Sequence, residues 1–133
     1  MANLGGVFGL IALYGVILLT IRLVVQTLIG LLRKGNKPLP ETVKIINRAI
    51  NRSHRVIGVI TMLATIAHFI AQYSRFGFLP VAGLVAGLLM ILQGVIGFAL
   101  KAQKGQAART QLRFAHLMLG FILVVAVLAH RLI

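Results

Sequence analysis

The sequence contains no cysteine and a single acidic residue, Glu41, among 133 residues. Without thiols, disulfides, iron-sulfur clusters and thiolate catalysis are excluded. With a lone carboxylate, so is any chemistry that divides acid and base roles between two carboxylates. A redox group in this chain must therefore be held by other ligands. What the chain has in abundance is apolar surface: 59% of residues are hydrophobic, 11% are charged and the mean hydropathy is +1.00. That balance describes an integral membrane protein rather than a soluble domain of this length.

The 14 Lys and Arg residues give a net charge of +13, which taken alone suggests a binder of nucleic acid or another anionic surface. Their positions argue otherwise. Apart from Arg22 they lie between or at the ends of apolar segments, as topology determinants and headgroup contacts do, so the expected partner is the lipid bilayer and not nucleic acid. The first twenty residues show no basic region ahead of the apolar run and no small-residue cleavage site, which reads as a retained helix.

Runs long enough to cross a hydrocarbon core of roughly 30 Å occur at Leu4 to Leu32, Val56 to Tyr73, Phe78 to Leu100 and Phe114 to Ile133. The expected fold is all-α, a transmembrane up-down-up-down four-helix bundle forming one domain. Between the first two spans, Gly35, Pro38 and Pro40 break the chain, and Glu41 can open a helix at its positive end. Val43, Ile46, Ala49, Ile50 and Ser53 then recur at helical spacing, predicting an amphipathic cytoplasmic helix over about 41–55 that runs on into span two. Basic residues gather in the first and third connections, whereas the second, SRFGFLP, carries only Arg75. By the positive-inside rule the first and third connections are cytoplasmic, in a bacterial-type cytoplasmic membrane, and both termini lie outside.

All four histidines belong to one pattern. His54 and His68 are fourteen positions apart in span two, and His116 and His130 are fourteen apart in span four. Two heptads bring both members of a pair to the same side of a helix in a left-handed bundle, about 21 Å apart along its axis. Spans two and four run in the same direction, so His54 is expected level with His116 and His68 level with His130. A single intramembrane histidine is equally well a polar residue bonded to a neighbouring carbonyl. Two pairs sharing one interval on parallel helices are harder to explain that way. Two neutral imidazoles from opposite helices, with no thiolate or carboxylate nearby, suit axial ligation of haem iron; zinc or copper would want a third or fourth side chain. The expected cofactors are two haem b groups, the inner held by His54 with His116 and the outer by His68 with His130.

Haem propionates need cations. Arg52 and Arg55 flank His54, Arg113 is near His116, Arg131 follows His130 and Arg75 lies two turns beyond His68. Each is also a candidate snorkelling anchor at the interface. Arg22 lies well inside span one with Gln26 one turn along, and a buried guanidinium needs a partner. Counted from the cytoplasmic end it falls nearer the level of His68 than of His54. Its candidate partners are an outer-haem propionate, a quinone or other polar ligand, and an acid on another subunit. In span three Gly83 and Gly97 repeat the fourteen-residue interval, with Gly87 and Gly94 between them, as expected where a helix must approach a macrocycle closely. Small-residue packing is the alternative. Span one offers only Gly15 and Gly30, one residue off that interval, and Gly5 and Gly9 are assigned to packing or a subunit contact.

These residues resemble the N-terminal haem-binding half of cytochrome b from quinol oxidoreductases. In that family the second and fourth helices each carry two haem-ligating histidines at about this interval, matching His54, His68, His116 and His130, and Gly83 and Gly97 match its third-helix glycines. The chain is also similar to compact four-helix di-haem cytochromes in general. It departs from the quinol-oxidising family in having four spans, no tryptophan and no Pro-Glu-Trp-Tyr segment. The expected function is transmembrane electron transfer between two haems, with a quinone or a redox partner protein as candidate donor or acceptor and a homo-oligomer or larger complex as a candidate assembly. The alternatives are a small quinone or ferric reductase using one haem edge, and a haem-free membrane anchor subunit.

Overall fold

The computed structural model describes residues 4–34 and 38–132, which form four helices: α1 (Leu4–Lys34), α2 (Glu41–Phe76), α3 (Val81–Ala102) and α4 (Gln106–Leu132). Each is long and apolar enough to cross a membrane. Gly35, read above as a chain break, and Ile133, read as the end of the fourth span, lie outside the described residues.

The helix ends follow local chemistry. Pro40 and Pro80 sit immediately before the first residues of α2 and α3, where a missing N–H and a fixed φ cost nothing. Their carbonyls accept the first helical bonds, from the amides of Val43 and Lys44 and of Leu84. Glu41 opens α2 and bonds Lys44 at 3.1 Å, a carboxylate at the positive end of the helix dipole. Gly77 ends α2 with φ 71°, and its amide donates to the Tyr73 carbonyl at 2.8 Å; only glycine takes that backbone conformation without strain. The amphipathic segment and the second apolar run form one continuous helix of 36 residues. Pro80 delays α3 to Val81, while α4 begins at Gln106, well ahead of the apolar run from Phe114.

Contacts along the helices fix their neighbours. Going up α1, Gly5, Gly9, Gly15 and Arg22 meet Gln72, His68, Thr61 and Asn51 in turn, so α1 and α2 run antiparallel. Gly87 and Gly94 of α3 meet Phe69 and Met62 of α2, and Gly83 and Gly97 meet His130 and His116 of α4. No Cα of α2 lies within 8 Å of one in α4, nor any of α1 within 8 Å of one in α3. The helices therefore stand in a ring with open diagonals. At the position where α1 and α2 are tightest, Thr61 is fully buried against Gly15, the small-residue contact that lets apolar helices approach closely.

The central cluster of buried residues is small: Val16, Met90 and Leu123, with Leu19, Met62, Leu89, Val124 and Val127 packed against it. Large apolar side chains such as Tyr14, Ile70, Phe121 and Leu128 cover the outside. An apolar exterior over a thin core suits hydrocarbon as solvent.

Candidate functional site

The open diagonals leave two cavities, one toward each end of the ring. The first, about 590 Å³, is lined by His54 and His116 together with Arg22, Arg55, Arg113, Gln93, Gly94 and Gly97. The second, about 530 Å³, is lined by His68 and His130 with Gly9, Gly83, Gly87, Phe69 and Arg131. Val16, Met90 and Leu123 line both, so the hydrophobic core is the partition between them. Both volumes lie in the range of roughly 300–1,000 Å³ typical of cofactor and small-molecule sites.

Each cavity therefore takes one histidine from α2 and one from α4, across the diagonal that the backbones leave open. The rings of His54 and His116 face each other edge-on, with centroids 6.3 Å apart and planes at 82°. An imidazole nitrogen binds a metal at about 2 Å, which puts the ring centroid about 3 Å from the metal, so two imidazoles sharing one axial metal have centroids about 6 Å apart. The observed spacing is close to that value. Among the described residues no three of His, Cys, Asp or Glu gather anywhere. A metal held by either pair would take its remaining donors from outside these side-chain types.

The glycines form the walls. A Cβ on Gly83 would lie 2.9 Å from Cε1 of His130, and one on Gly97 3.5 Å from Cε1 of His116. Gly83 is thus required for the position of an imidazole, and Gly97 gives ordinary clearance. Gly87 is filled by the Phe69 ring and Gly94 by the Met62 sulfur, so these two serve helix packing. On α1 the partner of a histidine is Gly9, whose Cβ would meet His68 Cε1 at 3.0 Å. Nδ1 of His68 donates to the Gly5 carbonyl at 2.7 Å. A carbonyl can only accept, so this bond fixes the tautomer and leaves the Nε2 lone pair of His68 available for a ligand. By contrast, Nδ1 of His54, Nδ1 of His116 and Oε1 of Gln93 are buried without a partner in the first cavity.

Several expectations require correction. Arg22 lines the His54–His116 cavity, not the His68–His130 one, and its Nε donates to Asn51 Oδ1 at 3.0 Å. Counting from the end of the apolar run misplaced it because the last turns of α1 pack beside the amphipathic part of α2, where Gln26 bonds Asn47, so the His54 level lies further up α1 than the run suggests. Gly15 belongs to the Thr61 contact, and Gly30 faces open space; neither walls a cavity. Gly5 and Gly9, assigned to packing or a subunit contact, hold His68. Arg55 and Arg113 line the first cavity and Arg131 the second. Arg52 and Arg75 line neither, and Arg75 stacks on Phe76 at 5.0 Å.

Sequence reasoning missed Lys101 and Arg109 as lining residues of the first cavity, and Gln93. The signal for Gln93 was present as the one amide inside the apolar run MILQGVIG. Cations at span ends carry no such signal, because topology explains them equally well.

The chain matches no family model, no curated protein and no solved structure.

Proposed function

We propose that the chain is a bis-histidine, di-haem b-type membrane cytochrome that carries electrons from one face of the membrane to the other. One observation carries this reading: two cavities of similar size, separated by a single apolar partition, each receive one histidine from α2 and one from α4. The residues fit the group. His54 and His116, with ring centroids 6.3 Å apart, would offer two nitrogen donors, among the described residues no third His, Cys, Asp or Glu joins either pair, and the glycine walls at Gly83 and Gly9 admit no side chain between helix and histidine.

When bound, haem supplies a one-electron iron couple whose potential responds to axial ligands, burial and nearby charge. The chain's own part is positioning. His54 with His116, and His68 with His130, present the nitrogens; Gly5 orients His68 through its carbonyl. Arg22, Arg55 and Arg113 at the first cavity and Arg131 at the second are the cations available to carboxylates. Val16, Met90 and Leu123 keep water out of the space between the sites. In this reading the bundle runs up-down-up-down through the bilayer, the His54–His116 site faces the cytoplasm with the basic connections, and both termini are outside. Electron donor and acceptor are external, a quinone or a redox protein.

A pyridine haemochrome assay on protein purified from haem-replete cells tests the reading. The expected result is two b haems per chain, with His54→Ala or His116→Ala removing one and His68→Ala or His130→Ala the other. Absence of Soret and alpha bands from the wild-type protein overturns it.

A further inference from the structure

Three buried polar atoms without partners share the first cavity: Nδ1 of His54, Nδ1 of His116 and Oε1 of Gln93. A ligating histidine almost always donates its second ring N–H to an acceptor, which fixes the ring and raises its basicity. The second cavity meets that need for His68 with the Gly5 carbonyl. In the first cavity, by contrast, Nδ1 of His54 and Nδ1 of His116 both lack a hydrogen-bond partner.

Gln93 is aimed at the same residue. Its Nε2 donates to the backbone carbonyl of His116 at 2.8 Å. Because that carbonyl can only accept, the amide nitrogen must face it, and Oε1 is the end left over. Room for the amide comes from Gly120, one turn after His116, where a Cβ would lie 3.0 Å from Gln93 Nε2. Nδ1 of His116 and Oε1 of Gln93 do not bond each other in this structure, but an amide inside an apolar span, a glycine that admits it and two unpartnered polar atoms in one cavity form a consistent set.

We propose that Gln93 is a positioning residue for His116, accepting the Nδ1 proton of the ligating imidazole through Oε1 while its Nε2 stays on the His116 carbonyl. The inference rests on the haem reading given above. It makes the two sites unequal in kind: His68 is oriented by backbone, and His116 by a replaceable side chain.

The test compares Gln93→Leu and Gln93→Glu in the full-length protein loaded with haem. The rate of haem loss, the two midpoint potentials and the electron paramagnetic resonance of each low-spin ferric haem are read, and the haem that disappears in His116→Ala is assigned to the first cavity. Leucine removes the acceptor, and the first-cavity haem should be lost about tenfold faster or more. Glutamate keeps an acceptor and adds negative charge, so that haem should be retained, with a lowered potential and a shifted resonance. The haem on His68 and His130 should be unchanged in both variants and serves as the internal measure of folding. If Gln93 acts only through its bond to the His116 carbonyl, glutamate loses haem as fast as leucine, and the proposal is overturned. Equal effects on both haems overturn it too. A wild-type protein that binds no haem overturns the functional reading, and this inference with it.

Discussion

Gly9 stands so close to His68 that a Cβ would lie 3.0 Å from Cε1 of the imidazole, while the carbonyl of Gly5, one turn earlier, accepts the bond from Nδ1 of the same ring at 2.7 Å. Helix α1 thus holds a residue of α2 from two directions using no side chain at all. The same economy recurs at Gly83 with His130 and, more loosely, at Gly97 with His116. It follows that the consequences of adding a methyl group should scale with these clearances.

Alanine at position 83 must displace His130, at 2.9 Å, whereas alanine at position 97 meets His116 at an ordinary 3.5 Å. Overpacking of this kind costs about 1–3 kcal/mol. On the proposed haem reading, Gly83→Ala and Gly9→Ala are therefore expected to lose haem from the His68–His130 site, and Gly97→Ala to retain both haems. Haem content per chain after purification checks the order, and a Gly97→Ala variant as depleted as Gly83→Ala contradicts it.

Thr61 is fully buried, and its hydroxyl donates to the Ile57 carbonyl at 2.7 Å. A Cβ on Gly15 would overlap its side chain. Gly15→Ala should lower stability by about 1–3 kcal/mol without removing a ligand from either cavity. Thr61→Ala should restore much of that loss when combined with it, because the two changes share one contact. Thermal unfolding in detergent, followed by circular dichroism, measures the coupling; strictly additive losses would mean that the helices part elsewhere.

How far the sequence disclosed this arrangement depended on the kind of signal. The histidines were legible because a polar group inside an apolar run is costly and so carries information, and because two runs shared one interval. The four long helices were legible from length and hydropathy, while their ends moved with Pro80 and with the polar turns before Phe114. The glycine partners on α1 were not legible. The fourteen-residue interval offered on α1 only Gly15 and Gly30, one residue off, whereas α1 contributes a wall to one histidine only, through Gly9. Arg22 was placed at the wrong level because helix length beyond the apolar run does not show in hydropathy. Its bond to Asn51 depends on the register between α1 and the amphipathic turns of α2, which no single-helix pattern contains.

Arg22 now belongs with Arg55 and Arg113 around the first cavity. The only acid in the chain, Glu41, is bonded to Lys44, so none of these cations has a carboxylate partner among the described residues. A cation near a redox centre favours its reduced form. At roughly 10 Å and an effective dielectric constant of about 20, one charge contributes about 1.7 kcal/mol, or about 70 mV for a one-electron couple. Arg22→Gln keeps a polar side chain toward Asn51 and removes the charge. It should lower one of two midpoint potentials by tens of millivolts, the one lost in His54→Ala, and leave the other in place. A redox titration followed at the alpha band reads both.

Met90 is 3% exposed and lines both cavities, as do Val16 and Leu123. Most substitutions considered above act on one site, because each wall residue serves one histidine. The partition differs, since a gap in it joins the two spaces and removes packing from both. Met90→Ala should cost about 2–5 kcal/mol as a large-to-small change in a buried position, and both haems should be lost together rather than in sequence. Met90→Leu conserves volume and should cost less than about 1.5 kcal/mol, leaving both in place. Haem release monitored at two wavelengths in the alanine variant, with Gly83→Ala as the single-site comparison, separates the cases. Loss of only one haem from Met90→Ala would show that the partition supports one cavity and merely borders the other.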